Sequence, residues 1–177
     1  MNEFLGIEVS EGVESFETNS VIDDYVEDFC STNLMENAIS GDMNKIRAAV
    51  GSLMFVKGLN DSSDKAIQEF ISGNKYSEED ISDMELYSSA LNDWSAEVDN
   101  NSRIFDAENI PALTKIVAKS YELEMDEAVS IEWFKNLVEN YGTNVKFSGV
   151  NTEDYNMMFN SLNNYMTYKE EKLEDAA

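Results

Sequence analysis

Apolar residues recur at spacings of three and four along most of the chain from Asn19 to Lys169, and that spacing stacks side chains on one face of an α-helix. Asn19 or Ser20 is placed to cap a helix reaching Cys30, with Val21, Ile22, Tyr25, Val26 and Phe29 on one face. A second helix is expected from about Ser40 to Lys57 through Met43, Ile46, Val50, Leu53 and Met54, with Gly58 as its stop. After the polar break at residues 60–63, Ile67, Phe70 and Ile71 mark a short helix ending at Gly73. Ser77 followed by Glu78, Glu79 and Asp80 is a strong helix start, because Ser caps free N–H groups and carboxylates favour the positive end of the helix dipole. Met84, Tyr87, Leu91, Trp94 and Val98 then form one apolar seam.

Pro111 sits where a helix can begin, and the residues expected to turn inward after it are Ile110, Leu113, Ile116, Val117 and Tyr121. Asp126 opens another helix that buries Val129, Ile131, Phe134, Leu137, Val138 and Tyr141 and ends at Gly142. Thr152, Glu153 and Asp154 cap the last helix, through Tyr155, Met158, Phe159, Leu162, Tyr165 and Met166. Residues 1–18 carry a looser alternation that suits an edge strand or an extended arm, and residues 145–150 suit a short strand or a turn. The tail, 170–177, is expected to fray. The pattern predicts a single compact multi-helix domain over residues 1–177, all-α with at most one short β-hairpin or edge strand.

Composition changes the picture sharply. The chain has 36 Asp and Glu against 12 Lys and Arg, a formal charge of −24 in 177 residues, with no histidine. Hydrophobic residues still make up 42% and aromatic residues 11%, which separates the chain from aromatic-poor acidic segments that stay disordered. A charge of this size repels nucleic-acid phosphate and anionic lipid, both of which are bound through Lys and Arg. The expected partner is a basic protein, with no direct contact to nucleic acid or membrane. No run approaches the ~18 apolar residues of a membrane span, and the first residues lack the pattern of a signal peptide. A cytoplasmic protein is expected, in the host cell's cytoplasm if it is phage-encoded. Nineteen Asn, ten Lys against two Arg, and one Pro are a composition common in AT-rich genomes, including those of many phages. Halophilic adaptation is the competing account of the acidity, since high salt screens self-repulsion.

The charge is also unevenly placed. Residues 1–44 hold eleven acids and no Lys or Arg, and residues 76–108 hold ten acids with Arg103 alone. Within the expected helices, Asp23/Glu27, Asp24/Asp28, Glu79/Asp83, Asp93/Glu97, Glu170/Glu174 and Glu171/Asp175 are acid–acid pairs at i, i+4. Each costs roughly 0.2–0.5 kcal/mol where an opposite-charge pair would gain as much. Lys65/Glu69 and Lys135/Glu139 are the clearest opposite-charge pairs. A run of charge is most often a solvated face, and acids in a first helical turn have a dipole reason to be there. The repetition of like pairs across separate helices is harder to assign to solvation alone.

Little catalytic chemistry is available. Without His there is no Ser-His or Cys-His nucleophile pair, and the commonest metal ligand is missing. Cys30 stands alone, with no Lys, Arg or His close in sequence, and is expected to be a buried apolar-face residue. The eight glycines form no phosphate-binding spacing. Neither residues 61–64 nor residues 99–102 match a calcium loop. No cofactor, metal or catalytic residue is expected, and the chain reads as a non-enzyme.

In charge and size the chain resembles the phage antirestriction and anti-CRISPR proteins of the DNA-mimic type. Duplex DNA carries one charge per ~1.7 Å of axis, so 24 net charges correspond to roughly 40 Å, about the width of a compact domain of this length. The expected function is inhibition of a basic nucleic-acid-handling protein. The partner-binding residues expected are Asp23, Asp24, Glu27 and Asp28 in one cluster and Glu79, Asp83, Asp93 and Glu97 in a second. The alternative is a virion structural protein or assembly chaperone that docks, or forms a homodimer, through Met and aromatic groups such as Trp133, Met157 and Tyr168, which lie off the main apolar stripes. If the acid–acid pairs are surface features, the isolated protein should gain a few degrees of thermal stability between about 10 mM and about 200 mM NaCl as the repulsion is screened. A melting temperature that stays flat or falls across that series removes the repulsion from the account.

Overall fold

The structure is a computed structural model that describes residues 15–98, 103–141 and 152–175. Most helix starts follow from a capping side chain. Asn19 accepts hydrogen bonds from the backbone of Val21 and Ile22 and opens α1, Ser20–Phe29. Thr32 caps α2, Asn33–Ala38, and Ser63 caps α4, Asp64–Ser72. Between them α3, Asp42–Val56, follows Gly41, whose positive φ no β-carbon-bearing residue adopts easily. Ser77 and Asp80 form a reciprocal capping box at the head of α5, Glu78–Ala96. Two 3₁₀ turns, Arg103–Phe105 and Ala107–Asn109, lead into α6, Ile110–Glu122, with Pro111 in its first turn. The last helices are α7, Glu127–Tyr141, and α8, Thr152–Asp175.

The all-α expectation holds, with eight α-helices and no strand among the described residues. The strand or turn expected at 145–150 and the arm through residue 14 lie outside those residues. Phe16, just after them, is buried, and Gln68 exchanges hydrogen bonds with the Glu17 backbone, so residues 15–18 are seated on the domain. The segment from Glu170 expected to fray is helical as far as Asp175. Helix α2 was not anticipated.

The core is built around α3 and α6. From Ala48 to Phe55 every residue of α3 is buried, and from Ile110 to Ala118 every residue of α6 is buried except Lys115. Helices α1, α4 and α5 pack on α3, while α5 and α8 pack on α6, and α7 packs on α8. Polar groups inside are satisfied locally: the Tyr25 hydroxyl donates to the Ala49 carbonyl at 2.8 Å, and Ser52 and Thr114 donate to carbonyls four residues back. Lys115, half-buried, lies over the Phe55 and Tyr155 rings, 4.3 and 4.8 Å from their centroids. It thereby pins α8 against α3 and α6.

Three details depart from the sequence reading. Val21 is 49% exposed, beside the acids of α1. Tyr121 is exposed too, leaning on Tyr87 rather than entering the core. Trp133 is buried, its indole N–H donating to Ser161 Oγ at 3.2 Å, so it is a core residue of the α7–α8 contact and not part of a docking face. Helix α4 does end at its Gly73 cap as expected, and Asn74, with φ 45°, turns the chain away after it.

Three helices end in the same hydrogen-bonded turn. After α3 the N–H groups of Gly58 and Leu59 reach back to Phe55 and Met54. Asn74 and Lys75 do the same after α4, and Glu124 and Met125 after α6. This turn needs a left-handed residue, a role met by Gly58 and Asn74 at little cost and by Glu124 at a cost of roughly 1–2 kcal/mol. Glu124→Gly should therefore stabilise the protein by about 1 kcal/mol in a denaturant melt. Glu124→Ala, which removes the same charge without freeing the backbone, should not.

Candidate protein-binding surface

At about 100° per residue, Asp23, Asp24, Glu27 and Asp28 occupy one continuous arc of α1, and all four are exposed. Ile22, Tyr25 and Phe29, on the opposite arc, hold that face outward by burying the other. On α5 the seam of Met84, Leu91 and Trp94 is buried, and Glu79, Asp83 and Asp93 are carried on the solvent side together with Glu97 at its C-terminal cap. The two predicted clusters are on touching helices, since α1 packs on α5. Helix α2 packs there as well, its Leu34 N–H donating to Asn92 Oδ1 at 3.2 Å. Helices α1, α2 and α5 together hold eleven carboxylates and not one Lys or Arg.

The cations lie on other elements, where most bind carboxylates. Arg47 of α3 grips Asp64 with two parallel bonds of 2.9 Å, which hold the carboxyl below its ordinary range. Lys57 pairs with Asp80 at 2.5 Å, Lys169 with Glu132 at 2.7 Å, and Lys119 with Glu122. Lys65 and Glu69 are 3.7 Å apart, as their spacing predicts. Lys135, however, reaches Glu97 at 2.8 Å, 38 residues away. Its hydrogen bond lowers the Glu97 pKa. Among the described residues Glu97 is thus the one predicted partner-binding residue that already has a cation.

A groove of about 580 Å³ opens beside the first cluster, between α1, α2 and α3. Its rim is Asp23 and Glu27 from α1, Glu36 from α2, and Asp42 and Lys45 from α3. Val26, Cys30 and Ile46 supply an apolar floor. None of the four rim carboxylates has an ion-pair partner among the described residues. Glu36 and Asp42 have no acid at i, i+4 and so escaped the pair pattern. A second cavity, of about 240 Å³ beside Trp94 and Tyr121, falls below the roughly 300 Å³ at which small-ligand clefts begin. No group of three or more Cys, Asp or Glu residues is disposed to hold a metal among the described residues, and no described helix is long and apolar enough to cross a membrane.

Comparison of the chain with family models, curated proteins and solved structures gave no match. The surface is therefore read from its own chemistry. Cys30, only 5% exposed, offers a direct probe of the groove floor. Burial pushes its thiol up to about 11, against a smaller opposing pull from Lys45, which the fold brings near. That rise lowers the thiolate population at neutral pH about 100-fold, offset about tenfold by greater nucleophilicity. Cys30 should react with an aromatic disulfide reagent about tenfold more slowly than free cysteine at pH 7, with a rate that keeps rising beyond pH 9. A rate matching free cysteine shows that the floor is open.

Proposed function

We propose that the protein is a non-enzymatic inhibitor that presents the carboxylates of α1, α2 and α5 to a basic nucleic-acid-handling protein, in the manner of a DNA mimic. The observation that carries this reading is the absence of any Lys or Arg from three helices that pack together and bear eleven acids. A helix bearing charge only for solubility gains by mixing signs, and this chain mixes them elsewhere. Between Asp23 and Asp28 four carboxylates fall within about 7.5 Å of helix axis, near the one charge per ~1.7 Å of duplex DNA. Such a surface draws a cationic site by long-range attraction and acts mainly on the association rate. Specific inhibition then requires only that the partner's DNA-binding face be covered.

A second reading rests on α8, where Met157 and Tyr168 are 38% and 49% exposed and lie three helical turns apart on one side. That side suits docking on another structural protein during assembly. One experiment separates the two. The immobilised protein is used to capture partners from a bacterial lysate, and elution with duplex DNA is compared with elution by salt. The inhibitor reading predicts that both release the partner. It also predicts that a variant with Asp23→Asn, Asp24→Asn, Glu27→Gln and Asp28→Asn captures about tenfold less, the sum of four modest charge terms. A partner that ignores DNA and half-molar salt, but is lost from Tyr168→Ala, establishes the assembly reading instead.

A further inference from the structure

We propose that the groove between α1, α2 and α3 receives an arginine side chain of the basic partner, making it the central contact of the carboxylate surface. The proposal rests on the inhibitor reading and specifies which part of the surface carries most of the contact energy. Arginine is an apolar stem with a charged head, and the groove is built in the same order. Val26, Cys30 and Ile46 form a floor for the stem, and Asp23, Glu27, Glu36 and Asp42 surround the head. The four carboxylates come from three helices. A guanidinium, with five N–H donors in a fixed plane, engages such an arrangement better than the single point charge of lysine. The volume of about 580 Å³ lies within the range of small-ligand clefts.

The floor includes the buried, free Cys30 side chain. Among the described residues Lys45 is the only cation on the rim and forms no ion pair. Four carboxylates against one ammonium leave the groove strongly negative. The remaining acids of α1, Asp24 and Asp28, line no part of it. They are the internal control.

The test is an NMR titration of the ¹⁵N-labelled full chain with N-acetyl-arginine amide and with its citrulline counterpart, which has nearly the same shape but no charge. The arginine probe should shift the amides of Val26, Cys30 and Ile46 saturably at about millimolar concentration, and the citrulline probe should bind at least about fivefold more weakly. Glu27→Gln with Glu36→Gln should weaken arginine at least about fivefold, while Asp24→Asn with Asp28→Asn, an equal loss of charge, should change it less than about twofold. Val26→Arg, which fills the groove from within, should abolish the shifts and so supports the assignment even where a double variant folds poorly. Equal losses from the two double variants, or shifts spread equally along α5, overturn the groove and leave a diffuse carboxylate field, with the inhibitor reading intact. Absence of saturable arginine shifts overturns it as well. Failure of the inhibitor reading itself appears separately, as a captured partner indifferent to DNA and salt.

Discussion

The packing of α3 against α6 is the contact on which the rest of the molecule depends. The stretch Ala48–Phe55 of α3 and nearly all of Ile110–Ala118 of α6 are enclosed, which leaves the first turns of α3 to reach the surface, and each of the surrounding helices is amphipathic because it has one of these two, or a neighbour of theirs, to lean on. The magnitudes explain why so acidic a chain folds. Burying one Phe or Leu side chain contributes about 1.5–3 kcal/mol, and the six like-charge pairs together cost no more than a few kcal/mol at roughly 0.2–0.5 kcal/mol each. Phe55 and Phe70, both essentially inaccessible to solvent, offset that cost between them.

Once the core bears the stability, charge is free to be sorted. Arg47, Lys57, Lys119, Lys135 and Lys169 each bind a carboxylate, and Lys115 rests on two aromatic rings. These contacts join α3 to α4 and α5, and α7 to α5 and α8. What the staples leave behind is a set of helices with acids alone. Exposed ion pairs contribute little each, so the segregation matters less for stability than for the sign of the surface left uncovered.

The helices were legible in the sequence wherever a long apolar stripe ran between a cap and a stop, as in α5, where Ser77 and the seam from Met84 to Trp94 marked both the start and the inward face. Helix α2 was missed because six residues hold too little periodicity, although Thr32 is the cap that announces it. Val21 and Tyr121 were misplaced because an apolar residue at the margin of a stripe is covered or bare according to what packs beside it, which is tertiary information. Trp133 shows the converse: it stood off its own helix's stripe and was buried by α8. The exposed carboxylates of α1 and α5 could be read from spacing, but their adjacency, the Lys135–Glu97 pair and the groove could not. Each joins residues from helices that the chain brings together only on folding.

The groove also shows how dense negative charge is held where the described residues offer its carboxylates no ion pair. Asp23, Glu36 and Asp42 each lie in the first turn of their own helix, where the free N–H groups carry partial positive charge and favour a carboxylate by about 0.3–1 kcal/mol. Three helix starts therefore converge on one opening, and each stabilises the acid it brings. Glu27, in the middle of α1, has no such support. The dipole explanation of first-turn acids and a binding role for the same acids are thus compatible, because the first lowers the cost of displaying them and the second uses the display. What the fold fixes is the position of the three helix starts, and with them the backbone from which the rim carboxylates project.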